Sequence, residues 1–191
     1  MRNIMKKLML LAVAAVFAVI EANADAVYSA VDGVLTINVP EGETNSVATA
    51  ELNLEENSIT QIHKTGLGGL KIDDKTALKE YAGDIYVDQG TWIVASSNAL
   101  GKLDFDSKGE ATHGENVGKV YIADGASIDL ASDDRYINNS GKKVIVNGHG
   151  VSGNGALTVS VAAANYYKDV LGNNLVLESD SSIWMPKTFN F

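Results

Sequence analysis

The sequence predicts an all-β protein assembled from stacked coils, a short and irregular β-solenoid, with a β-sandwich as the alternative. Three observations carry this. Apolar β-formers come in short alternating bursts, and each burst ends at a glycine or an Asx turn, most clearly over Lys64 to Gly101. One plan recurs, apolar-Tyr-apolar-x-x-Gly, first as Ile85 to Gly90 and again as Val120 to Gly125. Helical periodicity is nearly absent, so nothing organises a βαβ unit. A burst of this kind cannot bury its own apolar face and must stack on similar segments before and after it.

Taken in order, Gly33 to Val39 alternates before Pro40 and puts Leu35, Ile37 and Val39 on one face. Leu52 and Leu54 alternate in the same way, and Ile59 to Ile62 leads into the Lys64 segment. The later pairs are Ile85/Val87, Trp92/Val94, Val120/Ile122, Ile128/Leu130, Val144/Val146, Leu157/Val159/Val161 and Leu175/Leu177. Asp88-Gln89-Gly90, Ala123-Asp124-Gly125 and Asn147-Gly148 separate them with turn chemistry, since Asx bonds its own backbone and glycine accepts positive φ. Thr76 to Tyr81 is a short helix candidate, and Ala162 to Leu171, ending at Gly172, is a second or else an irregular excursion. The steps between comparable positions are 35 residues from Val87 to Ile122 and 24 from Ile122 to Val146. Such steps suit stacked units of 20–50 residues with loops of unequal length.

The first 24 residues read as a signal peptide. Arg2, Lys6 and Lys7 precede thirteen uninterrupted apolar residues, Leu8 to Ile20, and Ala22 and Ala24 stand where a signal peptidase reads. Thirteen helical residues at ~1.5 Å each fall short of a ~30 Å hydrocarbon core, so the segment reads as a leader and not a span. Residues 25–61 then form an N-terminal cap with the first strands, and 62–191 the coils. The whole chain carries a formal charge of −9, and the portion after Ala24 carries −11. That acidity argues against nucleic acid and anionic membrane as partners. With no cysteine, an exported chain must be held by packing and strand ladders.

Ile62, Lys64, Gly66, Gly68, Leu70 and Ile72, followed by Tyr81, Gly83, Val87, Gly90 and Ala99-Leu100-Gly101, resemble the autotransporter-associated β-strand repeat of Gram-negative secreted passengers. That family reads roughly L-x-K-x-G-x-G-x-L-x-L, a spacer, Y-x-G-x-T-x-V-x-x-G-x-L and A-L-G. Ile85 stands where Thr is usual and Trp92 where Leu is usual, and the spacer Asp73 to Glu80 is long and charged. Gly153 to Val159 resembles a partial second copy. The resemblance implies a right-handed parallel β-helix passenger, secreted or displayed on the bacterial surface, with an adhesin-like role and no catalytic residues. It also implies an outer-membrane translocator as a partner, for which this chain has no barrel of its own. Ile183, Met185, Phe189 and Phe191 alternate, but Lys187 breaks the pattern and one strand cannot close a barrel. Whether Phe191 is the natural end or the chain is the start of a longer passenger stays open, as does the nature of the surface or carbohydrate ligand.

Several constellations invite a chemical reading. Gly148-His149-Gly150-Val151-Ser152-Gly153 satisfies G-x-G-x-x-G, with Asp169 downstream, but a dinucleotide site needs a helix at those glycines and Leu157 to Val161 reads as strand. Asp104, Asp106, Gly109 and Glu115 fit part of a calcium loop, although Lys108 and Ala111 remove a ligand and the apolar anchor. Asp73-Asp74 and Asp133-Asp134 suggest the carboxylates of a polysaccharide lyase or hydrolase, the alternative function. Neighbours on a strand point to opposite faces, so neither pair forms a dyad by itself. His63, His113 and His149 lack ligand spacing. Tyr81, Tyr86, Trp92 and Tyr121 are expected to stack along the solenoid, with a carbohydrate-binding stripe as the sharper option. No residue is expected to be catalytic, cofactor-binding or metal-ligating, and no cofactor is expected.

Overall fold

A computed structural model describes residues 26–47, 52, 54, 55, 57–102, 117–131, 142–160 and 175–184. The chain is all-β, with two sheets of mostly parallel strands. One sheet, here sheet A, runs β1 (Val27–Val31), β2 (Val34–Asn38), β4 (Gln61–Thr65), β6 (Asp84–Val87), β8 (Val120–Ile122), β10 (Val144–Val146) and β12 (Leu175–Leu177). Sheet B runs β3 (Thr44–Ser46), β5 (Gly69–Ile72), β7 (Gly90–Val94), β9 (Ala126–Leu130), β11 (Leu157–Val159) and β13 (Ile183–Trp184). From β2 onward, consecutive strands fall alternately in A and B, and from β4 onward each pairs in parallel with the strand two places earlier. Only β1 departs, pairing antiparallel with β2 through the Asp32-Gly33 turn.

Register turns these ladders into columns of like residues. Leu35, Ile62, Ile85, Val120, Val144 and Leu175 form one inward column of sheet A. Ile37, Lys64, Val87, Ile122, Val146 and Leu177 form the next. The 35- and 24-residue steps read from the sequence therefore join residues that are true ladder partners. Sheet B contributes Asn45, Leu70, Trp92, Ile128, Leu157 and Ile183, and beside them Ile72, Val94, Leu130 and Val159. The inward residues of both sheets meet in one apolar core. Period-2 alternation causes this, because each strand keeps its apolar set on the same side at every step.

Two expectations need correction. Leu52 and Leu54 do not lie on a strand: Leu52 is buried, but Leu54 and Glu55 belong to a turn closed by the Ile59 amide on the Leu54 carbonyl. Thr76 to Tyr81 is a run of separate turns and not a helix. Its amides reach back three residues, Ala77 to Asp74, Lys79 to Thr76 and Tyr81 to Leu78. The Asp74 carboxylate accepts from the Thr76 amide and hydroxyl, which starts the chain as an Asx turn. Ala162 to Leu171, Asp104 to Glu115 and Asp133-Asp134 lie outside the described residues. Among the described residues no helix is long and apolar enough to cross a membrane.

Candidate functional site

The repeat-like motif closes on a buried cation. Lys64 follows Ile62 on the inward side of β4 and is fully buried between Ile37 and Val87 in its column. Its Nζ donates to the carbonyl oxygens of Gly66 (2.5 Å), Gly68 (2.5 Å) and Gln89 (2.8 Å). An ammonium has three N–H donors, and all three are used. Burial lowers its pKa from 10.5 to about 8, so it keeps its charge at neutral pH. The glycines follow from the same cap: a Cβ on Gly90 would collide with the Gly68 carbonyl and with Lys64 Nζ, and one on Gly68 with the Pro40 carbonyl. The lysine thus ties the β4–β5 turn to the β6–β7 turn of the next step.

The second half of the motif is a parallel construction. Tyr81 is buried, and its hydroxyl donates to the Asp84 carbonyl at 2.7 Å. Burial, then the nearby Asp84 carboxylate, raises its pKa. Lys142 lies with Nζ 4.6 Å from the Tyr81 ring centre and donates to the Gly83 carbonyl at 2.5 Å. Burial lowers its pKa from 10.5 to about 7, with Asp84 pulling the other way. Trp92 is buried in sheet B's inner column, and its indole N–H donates to the Ala99 carbonyl at 3.1 Å. The expectation that Tyr81 and Trp92 join an aromatic stack is therefore corrected: both are core anchors, on opposite halves of the coil.

Tyr86 and Tyr121 do stack. The outward column of sheet A reads Thr36, His63, Tyr86, Tyr121, Ile145 and Val176. His63 lies 4.4 Å from Tyr86 with an 11° interplanar angle, and Tyr86 lies 4.8 Å from Tyr121 at 6°. These spacings match the ~4.8 Å separation of neighbouring strands, so the ladder itself sets the pile. Carboxylates flank it: Asp88 meets His63 Nδ1 at 2.7 Å, and Asp84 accepts from the Tyr86 hydroxyl at 3.4 Å and the Lys119 amide at 2.7 Å. Burial, then Asp84, raises the Tyr86 pKa. Because the rings cover one another's faces, solvent meets edges and hydroxyls. A sugar platform needs an open ring face, and only edges are offered between these three.

The remaining candidates separate. The Asp73 carboxylate accepts from Ser46 (3.1 Å) and pairs with Lys71 (3.2 Å) on the sheet B side, while Asp74 serves its turn. Asp129, on sheet B, accepts from the Thr158 hydroxyl at 2.9 Å. Asp73 and Asp129 thus lie on the sheet B side, whereas Asp84 and Asp88 share the outer face of sheet A; among the described residues no group of three or more His/Cys/Asp/Glu could hold a metal. At Gly148 to Gly153 a 3-10 turn, Val151–Gly153, stands where a dinucleotide site needs a longer helix. Three of its amides are already taken: Gly148 donates to the Ser179 hydroxyl, Val151 to the Ser127 hydroxyl and Gly153 to the Gly150 carbonyl. The segment is a glycine-rich corner packed on Asp124 and Gly155. His149 is exposed there.

One open cavity of about 880 Å³ lies between the turns before β4 and the turns before β6. Leu54, Ile59, Ala77 and Tyr81 line it, with Glu55 and Glu80 also on its wall. Comparison of the sequence with family models and with curated proteins, and of the structure with solved structures, finds no match.

Proposed function

We propose that this chain is an exported, parallel β-helical passenger-type protein whose role is structural or surface-binding, adhesin-like and without chemistry of its own. The observation that carries this is the Lys64 cap. It joins K-x-G-x-G of one step to the glycine turn of the next, in a chain whose strands alternate between two parallel sheets. Among the described residues the cap occurs once, at one step; the parallel ladders repeat from step to step, and such a scaffold grows by coils that hold out variable loops as contact surface. Parallel pairing along each sheet supports a helix of coils over a sandwich of hairpins, which pairs antiparallel. Right-handed crossovers are the rule for such connections. The acidic charge favours a neutral or cationic partner surface.

The alternative, a polysaccharide lyase or hydrolase, needs carboxylates or basic groups converging on one outer face. Each described aspartate discussed above instead serves a local turn, ladder or ion pair.

Expression of the full chain in a Gram-negative host, followed by fractionation and N-terminal sequencing, tests the reading. A periplasmic or external product beginning at Asp25 is expected. That product should also bind intact bacterial or host cells, in pull-down, without depolymerising acidic polysaccharide. A cytoplasmic product that retains Met1, or release of unsaturated or reducing sugar ends, overturns it.

A further inference from the structure

The geometry points to Tyr86 and Tyr121 as an oxidative cross-linking site, where a one-electron oxidant of the peroxidase and peroxide class joins two neighbouring steps of sheet A through a dityrosine bond. The two residues are direct ladder partners on β6 and β8, 35 positions apart in sequence. Their rings are nearly parallel, 4.8 Å apart, on the solvent side of the sheet, and both are only partly buried. Among the described residues they are the tyrosine pair in ring contact. Tyr81, by contrast, is buried with its hydroxyl committed to the Asp84 carbonyl.

The chemistry balances. Each phenol gives one electron to the oxidant and its hydroxyl proton to a base: the Asp84 carboxylate stands beside Tyr86, and water serves Tyr121. The unpaired electron of each phenoxyl radical is shared onto the ring carbons ortho to oxygen. Those carbons couple, one Cε from each ring, and each then loses its hydrogen as a proton while the oxygen regains one. The product is two phenols joined by a carbon–carbon bond. Two hydrogens have left, and one peroxide takes them up to become two waters. The rings must turn from stacked to twisted about their side-chain bonds, which a position outside the core allows. Stacking keeps the two radicals together, as bound reactants are favoured over diffusing ones.

A chain with no cysteine thereby has a covalent staple available to it between coils. Its benefit has the logic of a disulfide, because a tie across a long loop restricts the unfolded chain. The inference stands apart from the passenger reading.

Treatment of the purified full chain with peroxidase and hydrogen peroxide tests it. The expected result is blue dityrosine emission and a proteolytic peptide pair containing Tyr86 and Tyr121, lighter by two hydrogens. The chain should still run as a monomer on a denaturing gel and melt at a higher temperature than before oxidation. Tyr86→Phe and Tyr121→Phe keep the stacked ring but remove the phenol, so each should lose the cross-link and the rise in melting temperature; Tyr28→Phe should keep both. Cross-links only between chains, no cross-link, or one that persists in Tyr86→Phe overturns the inference.

Discussion

Lys64 shows how much one side chain can decide. By alternation it shares the inward side of β4 with Ile62, a position where its column is otherwise aliphatic. An unpaired ammonium there would be prohibitive, and burial alone is what lowers its pKa. Three carbonyls at the turn compensate it, one of which, that of Gly68, also accepts from the Thr91 amide at 3.2 Å. Replacing Lys64 by Met keeps the volume and removes the charge but takes the ammonium from the carbonyls of Gly66 and Gln89 and leaves Gly68 with the Thr91 amide alone. We expect a loss of about 2–4 kcal/mol in unfolding free energy, measured by urea denaturation. A variant as stable as the wild type would mean that water reaches the turn once the amine is gone. The sequence made Lys64 visible as a motif member; its inward direction and its partners became visible only when β6 was brought alongside.

At the scale of elements, the columns explain why the strands hold. Each inward position finds its own kind one step up and one step down, and the column gains area burial at every step. Sheet B's column begins with an exception. Asn45 is 3 % exposed, lies against Leu70, and its side-chain nitrogen has no hydrogen-bond partner among the described residues. Asn45→Leu replaces a buried amide with a residue matching the column and should raise stability by about 1 kcal/mol, seen as a higher melting temperature. A fall instead would show that the Asn45 carbonyl oxygen holds the β3 turn. The columns were legible where apolar pairs recur at spacing two, as with Val87, Ile122 and Val146. They were not legible at β1, where Tyr28 and Ala30 face inward but Val27 and Val31 face out, 58 % and 60 % exposed. Apolar residues on both faces blur the period. Leu52 and Leu54 err the other way, presenting strand spacing in a segment that turns back on itself.

For the whole molecule, the buried lysines make stability depend on pH in an unusual direction. Lys142 has a folded pKa of about 7 against an ordinary 10.5, so between those values the unfolded chain binds the extra proton. Unfolding free energy then rises with pH across that window and is flat below it, where both states are charged. Lys64 adds the same behaviour from about 8 upward. The difference between wild type and Lys142→Met should therefore increase between pH about 6 and about 9, in denaturation curves taken at each pH. A difference that stays constant would mean that the Gly83 carbonyl and the Tyr81 ring fully offset burial of the charge. Leu177 and Ile183 continue inward columns, yet they are 49 % and 42 % exposed, whereas β1 folds back on the first step.

The sequence by itself determined the all-β class, the strand pairs and the equivalence of successive steps. Period-2 alternation and glycine turns are local, and a column needs only that like residues recur in order. It also marked Lys64, Gly66, Gly68, Tyr81, Gly83 and Gly90 as belonging together, without a reason. Tertiary structure supplied the reason, since carbonyls from two turns must converge before an ammonium can be buried among them. It likewise decided which aromatics are anchors and which are surface. Tyr86 and Tyr121 share the column of a parallel ladder, while Tyr81 and Trp92 point into the core between the sheets, and no spacing along one chain distinguishes those fates.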